Sequence, residues 1–216
     1  MQTEWLKFKK YPHIGKPLTS TKDSVWVENY VTNPEKIINH KFTPLLHRVI
    51  TQRKFRPDEN AAKNASGKRI RIVKEPKKRH IYYPSHLDSI IYSYYNNVLT
   101  KAYEEYLQDK EYSSVAVAYR KIPKSDVADG NKCNIEFAAD AFQFIMNNRH
   151  RKLSVIIADI TSFFDNLDHR ILHKQWKMVM GVEDLPLDHY RIYKNLVDYK
   201  YVNEDENADL IIFNTC

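Results

Sequence analysis

The chain has 216 residues, 43% of them hydrophobic and 28% charged, with 34 Lys and Arg against 27 Asp and Glu for a net charge of +7. This is globular composition, and its four glycines, Gly15, Gly67, Gly130 and Gly181, lie too far apart for the phosphate-cradling loops of Rossmann or P-loop nucleotide binding. The two cysteines, Cys133 and Cys216, exclude a disulfide framework and a Cys-type zinc site, which points to the reducing cytoplasm, and no apolar run nears the roughly eighteen residues of a membrane span.

At about 150 residues per domain, the length predicts one domain with a sub-domain. The first thirty residues are aromatic and irregular, with Trp5, Phe8, Tyr11, Pro12, His13, Trp26 and Tyr30 at no clear period, and read as an extension that packs on something. Asn33-Pro34 supplies an N-cap and an N1 proline. Ile37, Ile38, Leu45, Leu46, Val49 and Ile50 then make a helical stripe that Pro44 should kink. Asp58 to Gly67 is a polar loop.

From Lys63 to His80 eight cations stand against Glu75 alone, so this stretch carries a surplus equal to the whole net charge. Within it Arg69-Ile70-Arg71-Ile72-Val73 alternates charge with β-branched residues. Ile81-Tyr82-Tyr83 repeats the pattern after a Glu75-Pro76-Lys77-Lys78 turn, which predicts a basic β-hairpin. Such a ribbon suits phosphate, of a polynucleotide or a triphosphate; equally, it describes a solvated hairpin whose lysines guard an edge strand.

After Pro84-Ser85, apolar and tyrosine positions from Leu87 to Tyr106 recur at i, i+3, i+4, i+7 and predict a long helix, its tyrosines read as core aromatics and not as a base-stacking platform. Ser113 to Arg120 is a small strand or extended loop, and Asn134 to Asn148 a second helix with Ile135, Phe142 and Met146 on its apolar side. Leu153 to Ile160, LSVIIADI, has the continuous apolar character of a central strand and stops at Asp159. Helices over Asp168–Met180 and Leu187–Tyr201 follow, closed by Gly181 and by an acidic loop from Asn203 to Asp209.

Chemistry concentrates in Asp159 to His169, DITSFFDNLDH. A carboxylate at the end of a buried strand needs a cation or hydrogen bonds against its desolvation, and a Mg²⁺-type ion beside substrate phosphates is one solution. A structural role is the other. Asp168 reads as the N-cap of the next helix, worth about 1 kcal/mol, which weakens a metal nuclease built on Asp159, Asp165 and Asp168.

D-I-x-x-F-F-D-N-L-D-H resembles motif A in the palm of bacterial reverse transcriptases of the group II intron, retron and abortive-infection kinds. Val73-Lys74-Glu75-Pro76, Arg79, Ile81, Pro84-Ser85 and Asp88 are similar to that family's fingers pattern, and Ala118-Tyr119-Arg120-Lys121 to the segment after it, so the likeness covers roughly Arg69 to His169. Ser89 after Asp88, and Tyr119-Arg120-Lys121 in place of the intron-type G-F-R-P, bring it nearer to the retron and defence-associated kinds.

The resemblance implies an RNA-directed DNA polymerase with Mg²⁺ or Mn²⁺ as cofactor, deoxynucleotides as substrates, an RNA template, and a nucleic-acid or protein primer. Asp159 and the Ile160 carbonyl would hold the metal. Lys74, Arg79, Tyr119 and Arg120 would meet the nucleotide, with Phe164 as a steric gate beneath its sugar, unless Phe163 and Phe164 are both core. Lys68, Arg69, Arg71, Lys77 and Lys78 would meet nucleic acid. The expected fold is α+β, with an extension over 1–60, fingers over 61–150 and the opening of a palm over 151–216. The sequence contains no Y-x-D-D, no Q-G-x-x-x-S-P and no thumb. The chain is therefore expected to be a fragment, a truncated product or part of a split enzyme that a second polypeptide or downstream segment completes. A non-catalytic RNA-binding module is the alternative expectation.

Overall fold

The computed structural model describes residues 4–57, 63–69, 71–124, 130–161, 163–204 and 212–213, with the backbone alone for 53–57, 71–74, 164–165 and 212–213. In chain order the elements are β1 (His13–Ile14), α1 (Ser20–Val31), α2 (Pro34–Ile38), β2 (Leu45–Pro57), β3 (Arg71–Tyr83) and α3 (His86–Asp109), followed by α4 (Asn134–Asn147), α5 (His169–Met180), α6 (Leu187–Val197), β4 (Tyr201–Asn203) and β5 (Ile212–Phe213). The fold is α+β: β1 and β5 pair antiparallel, and a three-stranded sheet runs β3-β2-β4. Two compact units divide the chain, Met1–Leu99 with Glu183–Cys216, and Thr100–Val182. Neither boundary falls at 60/61 or 150/151, because β2 takes β3 on one side and β4 on the other and so gathers three sequence regions into one unit.

Several local expectations are corrected, among them the helix over Leu187–Tyr201, which ends at Val197 before Tyr201 begins β4. Ser20 to Val31 is helical: Thr19 donates its N–H and hydroxyl to Asp23 at 2.7 and 3.3 Å, and Val27 and Val31, one turn apart, are buried. The Thr19 N–H, and then the Trp26 indole N–H that donates to Asp23 at 2.8 Å, hold the Asp23 carboxyl below its usual range. The scattered aromatics hide that period in the sequence.

The helix begun at Asn33-Pro34 stops at Ile38, and Leu45 to Pro57 is strand. β-branched Val49, Ile50 and Thr51 suit a pleat, and β3 supplies the ladder a strand needs. The basic hairpin also has a different partner: β3 runs unbroken through Glu75-Pro76 and pairs with β2. Gln52 faces Lys77 and Lys54 faces Lys74, so Glu75 and Pro76 together oppose Arg53. This bulge accommodates a proline that has no N–H to give the ladder.

The first unit packs around Leu46, Ile37, Ile90, Ile91, Tyr95 and Ile192. Asp88, 1% exposed, joins the segment after α2 to the start of α3. Its Oδ1 accepts from His40 Nε2 at 2.7 Å and its Oδ2 from the Thr43 N–H and hydroxyl at 3.0 and 2.7 Å. Ser85 Oγ accepts the Asp88 N–H, capping α3, and the Arg191 guanidinium donates to the His40 carbonyl. Tyr95 donates to Asp188 at 2.7 Å, and burial followed by this bond raises its pKa. Burial pushes the Tyr92 hydroxyl up to about 12 against the opposing hydrogen bond from Asn195.

His13 and His86 stack face to face at 3.7 Å, both buried, and burial lowers both pKa values, with His13 further disfavouring charge on His86. Unfolded imidazoles take up protons near pH 6.5 while these refuse them, so below that pH the unfolded chain binds more protons and stability falls with pH. Urea midpoints are expected to hold between about pH 8 and 7 and to drop by pH 5.5, with a shallower drop for His13→Leu. Equal drops in both proteins would remove the pair as the cause.

In the second unit Leu107 and Trp176 are buried. Of the two expectations for Ser113–Arg120, strand or extended loop, there is no strand: the segment is a series of turns fastened by Arg120. α4 forms where expected, with the Cys133 N–H donating to Glu136, but buries none of its residues: Ile135, Phe142, Phe144 and Met146 are all exposed. Asp168 caps α5 by accepting from the Arg170 and Ile171 N–H groups at 2.8 and 3.1 Å, bonds that lower its pKa. Gly181 closes the helix at φ 65°, a left-handed conformation that suits glycine.

Candidate nucleic-acid interface

Residues 75–80 of β3 are exposed, as are Lys63, Lys68 and Arg69. Asn64 shapes the chain before them, accepting from the Ser66 and Lys68 N–H groups on its side chain and from Gly67 on its carbonyl. Along the ladder Lys77 faces Gln52, Lys78 faces Thr51 and Arg79 faces Ile50. The strand pleat therefore sends Lys78 to one side of the ribbon and Lys77 and Arg79 to the other. Both faces carry cations, so a polyanion can meet the ribbon from either. The side chains of Arg71 and Lys74 lie outside the described residues.

At the base of this ribbon the Lys78 face carries rings. The His47 and His80 rings lie edge to edge and nearly coplanar, with centroids 5.1 Å apart and 2° between planes, and His47 stacks on Tyr82 at 4.7 Å and 23°. Tyr201 meets His47 and Tyr82 edge-on at 5.4 and 5.3 Å, and Tyr199 meets Tyr82 at 5.6 Å. His47 Nδ1 lies 2.7 Å from Asn203 Oδ1, and its Nε2 lies 2.9 Å from His80 Nδ1. Sequence reasoning misses this cluster. Its one signal is the shared spacing of His80 and Tyr82, obscured because the apolar periodicity puts both His47 and Tyr201 in helices.

Asp159 is not on a strand. Residues 152–160 belong to no helix or strand and are exposed, with Ile156 at 89% and Ile157 at 93%. A strand apolar on both faces needs partners on both edges and layers above and below, and the described residues supply none. The 3-10 turn Phe163–Asn166 follows, and the Phe164 side chain lies outside the described residues.

Asp159 and Ile160 offer one carboxylate and one carbonyl. Among the described residues no three His, Cys, Asp or Glu come together as a metal-binding group. Mg²⁺ fills its near-octahedral set with waters and substrate phosphates beside one or two carboxylates, so these two donors could supply only part of its site.

Arg120 and Tyr119 differ sharply in availability. The Arg120 guanidinium, 8% exposed, grips both oxygens of Glu104 at 2.8 and 2.6 Å and the carbonyls of Ser113 and Ala116 at 2.7–2.8 Å, which raises its pKa and lowers that of Glu104. Tyr119 is 94% exposed at φ 60°. Arg120 thus holds the turn that presents Tyr119.

The chain matches no protein-family model and no curated protein. Among the described residues no helix is long and apolar enough to cross a membrane.

Proposed function

We propose that this chain is the fingers and opening palm segment of a defence-type reverse transcriptase, an RNA-directed DNA polymerase family adding deoxynucleotides to a primer. The observation that carries the reading is an order of parts: a basic antiparallel ribbon ending at Tyr83, the Ser85-capped helix with Asp88 in its first turn, and then the exposed Asp159 segment leading to the Asp168-capped helix. Arg79 on the ribbon is placed to meet a triphosphate or a nucleic-acid backbone. The bare apolar edge at 153–160 supports a further proposal, that palm strands carried by another polypeptide segment pair there and bring the carboxylates that a Mg²⁺ or Mn²⁺ site requires.

One observation favours a second reading, a non-catalytic RNA-binding module: the described residues gather no carboxylate cluster around Asp159. Both readings predict that the pure 216-residue chain does not extend a primer with Mg²⁺ and deoxynucleotides. Steady incorporation abolished by Asp159→Ala would overturn that expectation. The two part on nucleotide binding. The polymerase reading expects a photoreactive deoxynucleotide to label the chain and to be displaced by excess deoxynucleotide, with labelling abolished in Arg79→Ala. RNA binding without such labelling selects the module.

A further inference from the structure

The exposed ring cluster suits a ligand class of its own. Lys78, His80 and Tyr82 project from one face of β3, at two-residue steps of about 6.7 Å. His47 lies opposite Tyr82 on β2, and Tyr201 and Asn203 of β4 stand opposite Leu45 and His47, so all share that face. Tyr201 is 52% exposed, Tyr199 and His80 are exposed, and His47 and Tyr82 are half-buried. The opposite face of the same sheet carries the buried Leu46. The ring face is therefore the open one.

Flat rings with accessible faces accept unpaired bases, whereas paired bases turn only their edges outward. Charge complementarity selects nucleic acid over an apolar protein strand: the exposed Lys78 lies on the face itself, Lys68 and Arg69 are exposed just before the ribbon, and Lys77 and Arg79 line the ribbon's other face, within reach of a strand that wraps its edge. The exposed Tyr199 and Tyr201 bring phenol hydroxyls, which can donate to or accept from a ribose 2′-OH.

We infer that the face of the β3-β2-β4 sheet that carries His47, His80, Tyr82 and Tyr201, with Tyr199 just before β4, binds single-stranded RNA, stacking its bases on the rings while Lys78 takes its phosphates. The inference rests on the nucleic-acid reading of the ribbon but requires no polymerase chemistry, so the two are separable.

The test measures binding of the full chain to a fluorescent oligoadenylate RNA of about 12 nucleotides, the corresponding DNA, an abasic strand of equal length and a blunt RNA duplex. His80→Ala and Tyr201→Ala alter exposed rings, and melting curves establish that each variant folds. Each is expected to weaken binding of the oligoadenylate about tenfold. The salt slope should stay unchanged, since a ring neutralises no phosphate. Affinity for the duplex and the abasic strand should also hold.

Unchanged oligoadenylate affinity in the folded variants overturns the stacking site while leaving the basic ribbon intact. Equal losses on the abasic strand do the same. DNA binding as tight as RNA overturns the assignment to RNA. No binding of any strand by the wild-type chain at low salt overturns both this inference and the nucleic-acid reading beneath it, and leaves the face to a protein partner.

Discussion

Asp88→Ala is expected to lower the stability of the chain by about 3–5 kcal/mol, the cost of leaving buried donors without their acceptor. The carboxylate accepts three donors, from His40 Nε2, the Thr43 N–H and the Thr43 hydroxyl. A buried donor left without an acceptor costs about 1–3 kcal/mol, and partial access of water at Thr43 keeps the total below the simple sum. Against a total stability of about 5–15 kcal/mol, this is from about a fifth to the whole of it. Asp88→Asn keeps the shape and one acceptor but turns an NH₂ toward donors, so its loss should be smaller. Urea unfolding of the three proteins checks the order. A midpoint for Asp88→Ala equal to that of the wild type would mean that His40 and Thr43 find other acceptors.

The same residue shows what can be read from the sequence. Asp88 stands out there only through its place in a family pattern, which says nothing of its task; the structure shows that it ties the segment after α2 to the start of α3. Helices α3, α4 and α5 are legible because periodicity, a capping Asp168 and a closing Gly181 are local signals. β2 is not. Leu45, Leu46, Val49 and Ile50 fit a helical stripe as well as a strand, and only the distant ladder with β3 decides between them.

A similar limit applies to 153–160, whose apolar character predicts burial on both faces while the described residues leave it bare. Sequence reports what a segment needs. Whether that need is met depends on partners far along the chain or outside it. The ring cluster is hidden for the same reason, since its members come from three strands and the segment just before β4, and the periodicity of two of those strands suggests helix.

The largest effect on binding is expected from the ribbon. Replacing Arg69, Lys77, Lys78 and Arg79 with alanine should flatten the dependence of log affinity on log salt by up to about 3.6 on duplex DNA, and by about 2.8 on a single strand. Each cation that neutralises a phosphate releases a condensed counterion, so the change in slope reports how many phosphates these four side chains neutralise. All four are exposed, so their removal costs little stability, and the folded variant can be compared directly with the wild type. Because the slope is steep, the loss of affinity is greatest near 50 mM salt and narrows toward 200 mM. Lys9→Ala with Lys10→Ala is the control, two exposed cations far from the ribbon in sequence, whose loss should leave the slope near its original value. An unchanged slope in the fourfold variant would mean that the ribbon faces solvent, its lysines doing no more than guarding an edge strand against pairing.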